Sequence, residues 1–263
     1  MQKAIERAIS TMWDRYDEPL SLDAMAHSAY LSRFYFSRLF RSMTGTSPGR
    51  FLTAIRLYQA KIRLRETDMS VTDIAYGVGY NSLGTFISRF TRSVGVSPAR
   101  YRALAEAGMP RLSESDTGYG RPGGSIRGRI VLPPLDMPVR VYVGAFPDPI
   151  VQGHPLACDI VESSGQYVLA DVPAGEWFLR AAAIGLPPAG GCAEQTLPVT
   201  PRPLAVGTYD NVKVTRGEKV TAHLELHRSC IFDLPILMAL PELDSRAAGG
   251  PPRGRRPYAR VAE

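Results

Sequence analysis

Cysteine is scarce in this chain. Its three copies, Cys158, Cys192 and Cys230, are odd in number, far apart and form no Cys-x-x-Cys pair. That spacing argues against a disulfide framework and against a structural zinc site. No run of 18 or more apolar residues occurs, so no membrane span is expected. The opening stretch, "MQKAIERAISTMWDRYDEPL", reads as an amphipathic helix and lacks the apolar centre of a signal peptide. The expectation is a cytoplasmic protein. Common signatures of enzyme chemistry are missing too: no Gly-x-Ser-x-Gly, no phosphate-binding loop, no paired Cys and His. No catalytic residue and no cofactor are expected. His223, Glu225 and His227 would share one face of a strand, where a metal could be held. The motif is short and no further strong ligand is placed by sequence, so no metal is expected either.

What is present is a moderately apolar chain, 44% hydrophobic, which excludes a disordered polymer. At 263 residues it is long enough for two domains with separate cores. The net charge of +6 is unevenly spread. Residues 1–109 hold 15 Lys and Arg against 9 Asp and Glu, or +6; residues 110–250 hold 12 against 15, or −3; residues 251–263 hold 4 against 1, or +3. A basic first segment points to a polyanionic partner such as nucleic acid, although many solvated surfaces are this basic.

The first segment repeats itself. "FRSMTGTSPGRF" at 40–51 returns as "FTRSVGVSPARY" at 90–101, a period of 50 residues that marks one structural unit used twice. Seven helices are expected. Ile5, Ala8, Ile9, Met12 and Trp13 share helical spacing over 3–15. Ser21 and Asp23 open a short helix holding Leu22, Met25 and Ala26, and Ser32 opens another with Phe36, Leu39 and Phe40 inward. Pro48 suits the first turn of a long helix to about residue 66, with Phe51, Leu52, Ile55, Tyr58 and Ile62 as its apolar face and Ala60 flanking it. The plan then recurs: a helix from Ser70 that Gly77 and Gly79 break, one from Asn81 or Ser82 holding Phe86 and Phe90, and a last one from Pro98.

Residues 109–124, "MPRLSESDTGYGRPGG", have the composition of a linker. Beyond them the runs "SIRGRIVL", "VRVYVGAF", "QYVLADV", "EWFLRAAAI" and "KVTAHLEL" are short, β-branched and separated by Gly, Pro and Asp, which predicts an all-β domain over 125–245. Residues 246–263 read as a basic disordered tail. The apolar stretch "CIFDLPILMALPELD", 230–244, reads as an extra edge strand of that domain; packing on either domain or a dimer contact are the alternatives.

Within each repeat, a short helix, a tight turn ("HSAYLS", then "GVGYNS") and a second helix make the helix-turn-helix plan. The major groove is about 12 Å wide and accepts one helix. The connecting helix of roughly 19 residues would span about 28 Å, against about 34 Å for one turn of B-DNA. One chain could thus seat two recognition helices in successive grooves.

Residues 1–105 resemble the DNA-binding domain of the AraC/XylS family of bacterial transcription regulators. The resemblance is carried by "SLDAMAHSAYLSRFYFSRLFRSMTGTSPGRFL" and "IRLYQAKIRLRETDMSVTDIAYGVGYNSLGTFISRFTRSVGVSPARYR". It covers two-fifths of the chain, taken as domain 1–108, and implies a double helix-turn-helix regulator of transcription, an activator by the family's common mode. The implied partners are double-stranded DNA and RNA polymerase. Carried over by position, Arg33, Phe34, Ser37 and Arg38 are expected at base edges, with Arg38 the reader of guanine and Phe34 against thymine methyls. Arg33 could instead hold phosphate only. In the second copy the arginine falls three residues after Phe86 rather than two, turning Arg89 by about 100° relative to Arg38. Base contacts there rest on Ser82, Thr85 and Arg89, while Leu83, Gly84, Ile87 and Ser88 offer few hydrogen bonds; Leu83 and Ile87 could pack on protein instead. Ser32, Arg41, Arg50, Asn81, Arg92, Arg100 and Arg102 are expected at phosphates. The family normally places this domain last, after a ligand-binding barrel, so its effectors do not carry over.

Residues 125–226 resemble the carboxypeptidase-regulatory-like, transthyretin-like β-sandwich. The carriers include "SGQYVLADVPAGEWFLRAAAIG", with Tyr167, Leu169, Trp177 and Leu179 alternating into the core. The resemblance implies a seven-stranded Greek-key sandwich for sensing a small molecule or binding a protein. The fold class is therefore multidomain, all-α then all-β. The alternative function is a carbohydrate- or protein-binding module with secondary DNA contact.

Overall fold

The computed structural model describes residues 1–107, 123–151, 153, 155–186 and 203–235. These fall into two compact units. One holds 1–106 together with 230–235, and the other holds the sheets, 123–229. The expected linker, the basic tail, Cys192 and residues 236–244 lie wholly or largely outside the described residues.

The helical unit has seven helices: α1 Gln2–Asp14, α2 Leu22–Ser28, α3 Arg33–Thr44, α4 Pro48–Glu66, α5 Val71–Gly77, α6 Leu83–Val94 and α7 Pro98–Ala107. Serine starts six of them. The hydroxyls of Ser21, Ser47, Ser70, Ser82 and Ser97 accept the backbone N–H three residues on, while Ser32 sits at the same position without that bond. Pro48 opens α4, and Gly45 and Gly95, with φ of 72° and 97°, close α3 and α6. Phe36, Phe40, Phe51, Ile5, Ile9 and Met12 are fully buried in the core of the first repeat. Phe86, Phe90 and Tyr101 form the equivalent aromatic chain in the second.

Helix α4 departs from the expected single stripe. Phe51, Leu52, Ile55 and Ala60 are buried as predicted, but Ala54, Leu57, Lys61 and Leu64 are buried too, whereas Tyr58 and Ile62 are only half-buried. The reason is that both repeats use this helix as a wall: it meets α1, α2 and α3 on one side and α5 on the other. Lys61 stays in this interior with its ammonium 5.6 Å from the centre of the Tyr101 ring.

Among the described residues the sheet unit has nine strand segments, two more than expected: β1 Gly124–Val131, β2 Val139–Phe146, β3 Ala157–Glu162, β4 Gly165–Val172, β5 Gly175–Gly185, β6 Ala205–Val214, β7 Lys219–Thr221, β8 Leu224–Glu225 and β9 His227–Arg228. One sheet runs β4-β1-β7, with β8 also on β1; the other runs β3-β2-β5-β6-β9. They share one core, into which Tyr167, Leu169, Trp177 and Leu179 alternate as predicted. "KVTAHLEL" does not form one strand. It runs parallel to β1 in two pieces, and the chain then crosses to the other sheet as β9. At the break the Ala222 N–H bonds the Arg127 carbonyl, and His223 Nδ1 accepts the Arg129 N–H at 3.1 Å. The proposed metal face at 223, 225 and 227 is therefore split, with one imidazole nitrogen already occupied.

The expected edge strand at 230–244 is also corrected over its described part. Residues 230–235 form a turn in which Asp233 Oδ2 accepts the Cys230 N–H at 2.7 Å. Ile231, Phe232 and Leu234 pack against the core of the first helical repeat. This is the alternative of packing on a domain rather than the edge strand. Cys158 is half-buried in β3, and burial pushes its thiol up to about 12; Cys230 is exposed, and both are free thiols.

Candidate nucleic-acid interface

Helix α3 turns Phe36 and Phe40 fully inward, which by the helical period leaves the opposite face to solvent. That face carries Arg33, Phe34, Arg38 and Arg41, all exposed, with Ser37 half-buried beside them. Phe34 stands 79% exposed, an unusual position for a large apolar ring. The Arg33 guanidinium lies 5.1 Å from its centre, and Arg33 also approaches Asp23 at 3.8 Å. Arg38 stacks at 5.9 Å over Tyr35. The predicted residues of the first repeat thus lie together on one helix face, with three cations and a ring toward solvent.

Helix α6 has the same inward pair, Phe86 and Phe90, but a different outer face. Ser82, Gly84, Thr85, Ile87 and Ser88 are exposed and Leu83 is half-buried. No cation sits at the position matching Arg38. Arg89 is exposed but leans on the connecting helix, its Nη1 3.5 Å from Thr53 Oγ1. Arg102 departs further from its expected role at phosphate. Its Nε donates to the Leu64 carbonyl at 3.2 Å and its Nη2 to the Met69 carbonyl at 2.5 Å, tying down the α4–α5 connection. A long side chain can fold back onto open carbonyls at a helix end, which no sequence position announces. Asn81, Arg41, Arg50, Arg92 and Arg100 are exposed as a phosphate role requires.

The turns before the two recognition helices share one backbone. The N–H of Leu31 bonds the Ala26 carbonyl and that of Tyr80 bonds the Ala75 carbonyl, both at 3.0 Å. The residue before each is left-handed: Tyr30 at φ 55° and Gly79 at φ 85°. Glycine is at ease there and tyrosine is not. Tyr30 is 78% exposed, and the Arg7 guanidinium lies 4.8 Å from its ring centre. The Arg7–Tyr30 pair beside the first recognition helix was not legible in the sequence, because nothing marks a tyrosine as left-handed.

Burial raises the Tyr80 hydroxyl above its ordinary range, with Arg89 and Arg56 opposing it. Burial likewise lowers the Arg56 guanidinium, against the pull of Tyr80.

A family model described as a helix-turn-helix domain matches residues 25–104. The regulatory protein SoxS of Escherichia coli K12 is 35% identical over 101 residues, 38% of this chain and 94% of SoxS. The chain belongs to the AraC family. As a member it is a DNA-binding, helix-turn-helix regulator of transcription. The raffinose operon regulator RafR of Pediococcus pentosaceus is 39% identical over 95 residues, 36% of this chain and 34% of RafR. Among solved structures, the DNA-binding domain of AdpA in complex with a target DNA is 34% identical and covers 39% of this chain and 93% of that one, at a TM-score of 0.38. Each of these AraC-type matches spans about two-fifths of the chain. Among the described residues no helix is long and apolar enough to cross a membrane.

Proposed function

We propose that the protein activates transcription by reading two successive major-groove segments with unequal helices. Helix α3 supplies most of the base reading, through Arg38 and Phe34 with Arg33 and Ser37 beside them. Helix α6 reads weakly through Ser82 and Thr85. Ser32, Arg41, Arg50, Asn81, Arg92 and Arg100 grip phosphates. The observation that carries this reading is the exposed Arg33–Phe34–Arg38–Arg41 face on α3, repeated in backbone but not in chemistry on α6. The 19 residues of α4 between them span about 28 Å, close to one turn of the duplex.

The sheet unit serves protein contact in this reading, RNA polymerase being the partner that activation requires. Its described hollow, lined by Leu135, Asp136, Met137, Leu204, Arg228 and Ser229, holds about 180 Å³. Small-molecule sites run to about 300–1,000 Å³, so this hollow is small for one. Reconstituted transcription with purified RNA polymerase, on a template carrying a sequence selected by the protein, tests the proposal. More transcript on adding the protein supports activation; less makes the protein a repressor. No change with the full chain, despite binding, removes the polymerase role.

A further inference from the structure

Two arginines of the connecting helix hold the two repeats together. Arg56 and Arg63 are seven residues apart on α4, within about 20° of two full turns, so they project from one face. Arg56 donates from Nε to the Tyr16 carbonyl and from Nη2 to the Glu18 carbonyl, both at 2.7 Å. Tyr16 and Glu18 lie in the α1–α2 connection of the first repeat. Arg63 divides its donors: Nη2 reaches the Tyr16 hydroxyl at 2.9 Å, and Nη1 reaches the Gly77 carbonyl of the second repeat at 2.7 Å. A single guanidinium thus bridges both repeats from the helix between them.

The second repeat is fitted closely to this bridge. A Cβ on Gly77 would lie 2.4 Å from Arg63 Nη1. A Cβ on Gly79 would lie 2.9 Å from the carbonyl oxygens of both Tyr16 and Asp17, and 3.0 Å from Arg56 Cζ. The turn that aims α6 is therefore seated directly on the loop of the first repeat. A planar guanidinium suits this place because its donors are fixed in one fork, which sets angle as well as distance.

Resting on the double-reader proposal, we propose that Arg56 and Arg63 are positioning residues that fix the phase between the two recognition helices and make the protein selective for the spacing of its two operator blocks. Inserting one base pair moves the second block by about 3.4 Å and turns it by roughly 35°. A rigid pair cannot follow that movement; a loosened pair can.

The test uses full-length protein and duplexes bearing the two selected blocks with zero, one or two inserted base pairs. Wild type should lose about tenfold or more in affinity for the first inserted pair, the size of a lost base contact. Arg63→Ala should lose about threefold or less while binding a single isolated block like wild type. Gly77→Ala should behave as Arg63→Ala, since it displaces the guanidinium without removing it and adds helix propensity. Arg63→Lys, which keeps the charge on a single donor nitrogen and loses the fork, should fall between. An equal loss at every spacing, or an unchanged penalty, overturns the proposal. A second measurement needs no DNA. Spin labels at Ser42→Cys and Ser88→Cys, with the native cysteines replaced by serine, should give one narrow distance that broadens in Arg63→Ala. Broadening with no two-block operator would leave the positioning role standing and remove the double reader; no broadening overturns the positioning role.

Discussion

The two helix-turn-helix repeats are built alike and armed differently. Each buries a Phe pair four residues apart, starts its second helix at a serine and passes through one left-handed residue in the turn before that helix. Outside, α3 presents three arginines and a bare phenylalanine where α6 presents glycine, isoleucine and serine. Core packing fixes the shape of such a unit, and the solvent face alone decides what it reads. A duplicated unit can therefore keep its fold while one copy loses most of its hydrogen-bonding face.

The comparison breaks first if the cores are not equivalent. Phe36→Ala and Phe86→Ala should each destabilise the helical unit by about 3–5 kcal/mol, read by denaturant unfolding. A large difference between them would mean that one repeat is not a folded equal of the other. The faces come next. Arg38→Ala should cost about 1–3 kcal/mol of binding and relax one operator block, whereas Ile87→Ala should cost well under that, in titrations at fixed salt. The turns sharpen the contrast further. Gly79→Ala should destabilise by about 1–3 kcal/mol, through both its φ and its carbonyl neighbours, while Tyr30→Gly should change stability by less than about 1 kcal/mol. Arg92→Gln should weaken binding to all sequences alike and lower the salt slope by about 1.

The smallest effect concerns pH. Tyr80 has its hydroxyl pK raised by folding, so its contribution is complete below the unfolded tyrosine range and is lost as pH climbs through the folded value. Tyr80→Phe should leave neutral stability unchanged or slightly higher and flatten the alkaline decline, measured by thermal unfolding across alkaline pH. A steeper decline in the variant would contradict the burial account.

Helix order and starts were legible because caps are local: Ser21, Pro48, Ser70 and Pro98 each act within one turn of chain. What needed the fold was anything shared between repeats. Lys61 on α4 is buried where Tyr101 of the second repeat covers it, and a one-stripe pattern cannot show that. Strand β6, "AVGTYDNVKV", was missed because its exposed Thr208, Tyr209, Asp210 and Asn211 hide the alternation. Of the candidate site, the inward Phe36 and Phe40 of α3 followed from spacing, and its outward residues from the resemblance to the AraC/XylS family. Arg102 did not, because the carbonyls that hold it belong to residues 64 and 69, distant in sequence. Phe232 was apolar on the page, but its partner surface lay two hundred residues away in the first repeat.

The most direct measurement is selection of bound sequences from random duplex DNA by the full-length protein at physiological salt, read by sequencing. Two blocks centred about 10 base pairs apart, one sharply defined and blurred by Arg38→Ala, the other weakly defined, are the expected result. Two equally defined blocks would contradict the unequal faces, and a pool with no enriched sequence would contradict specific reading altogether.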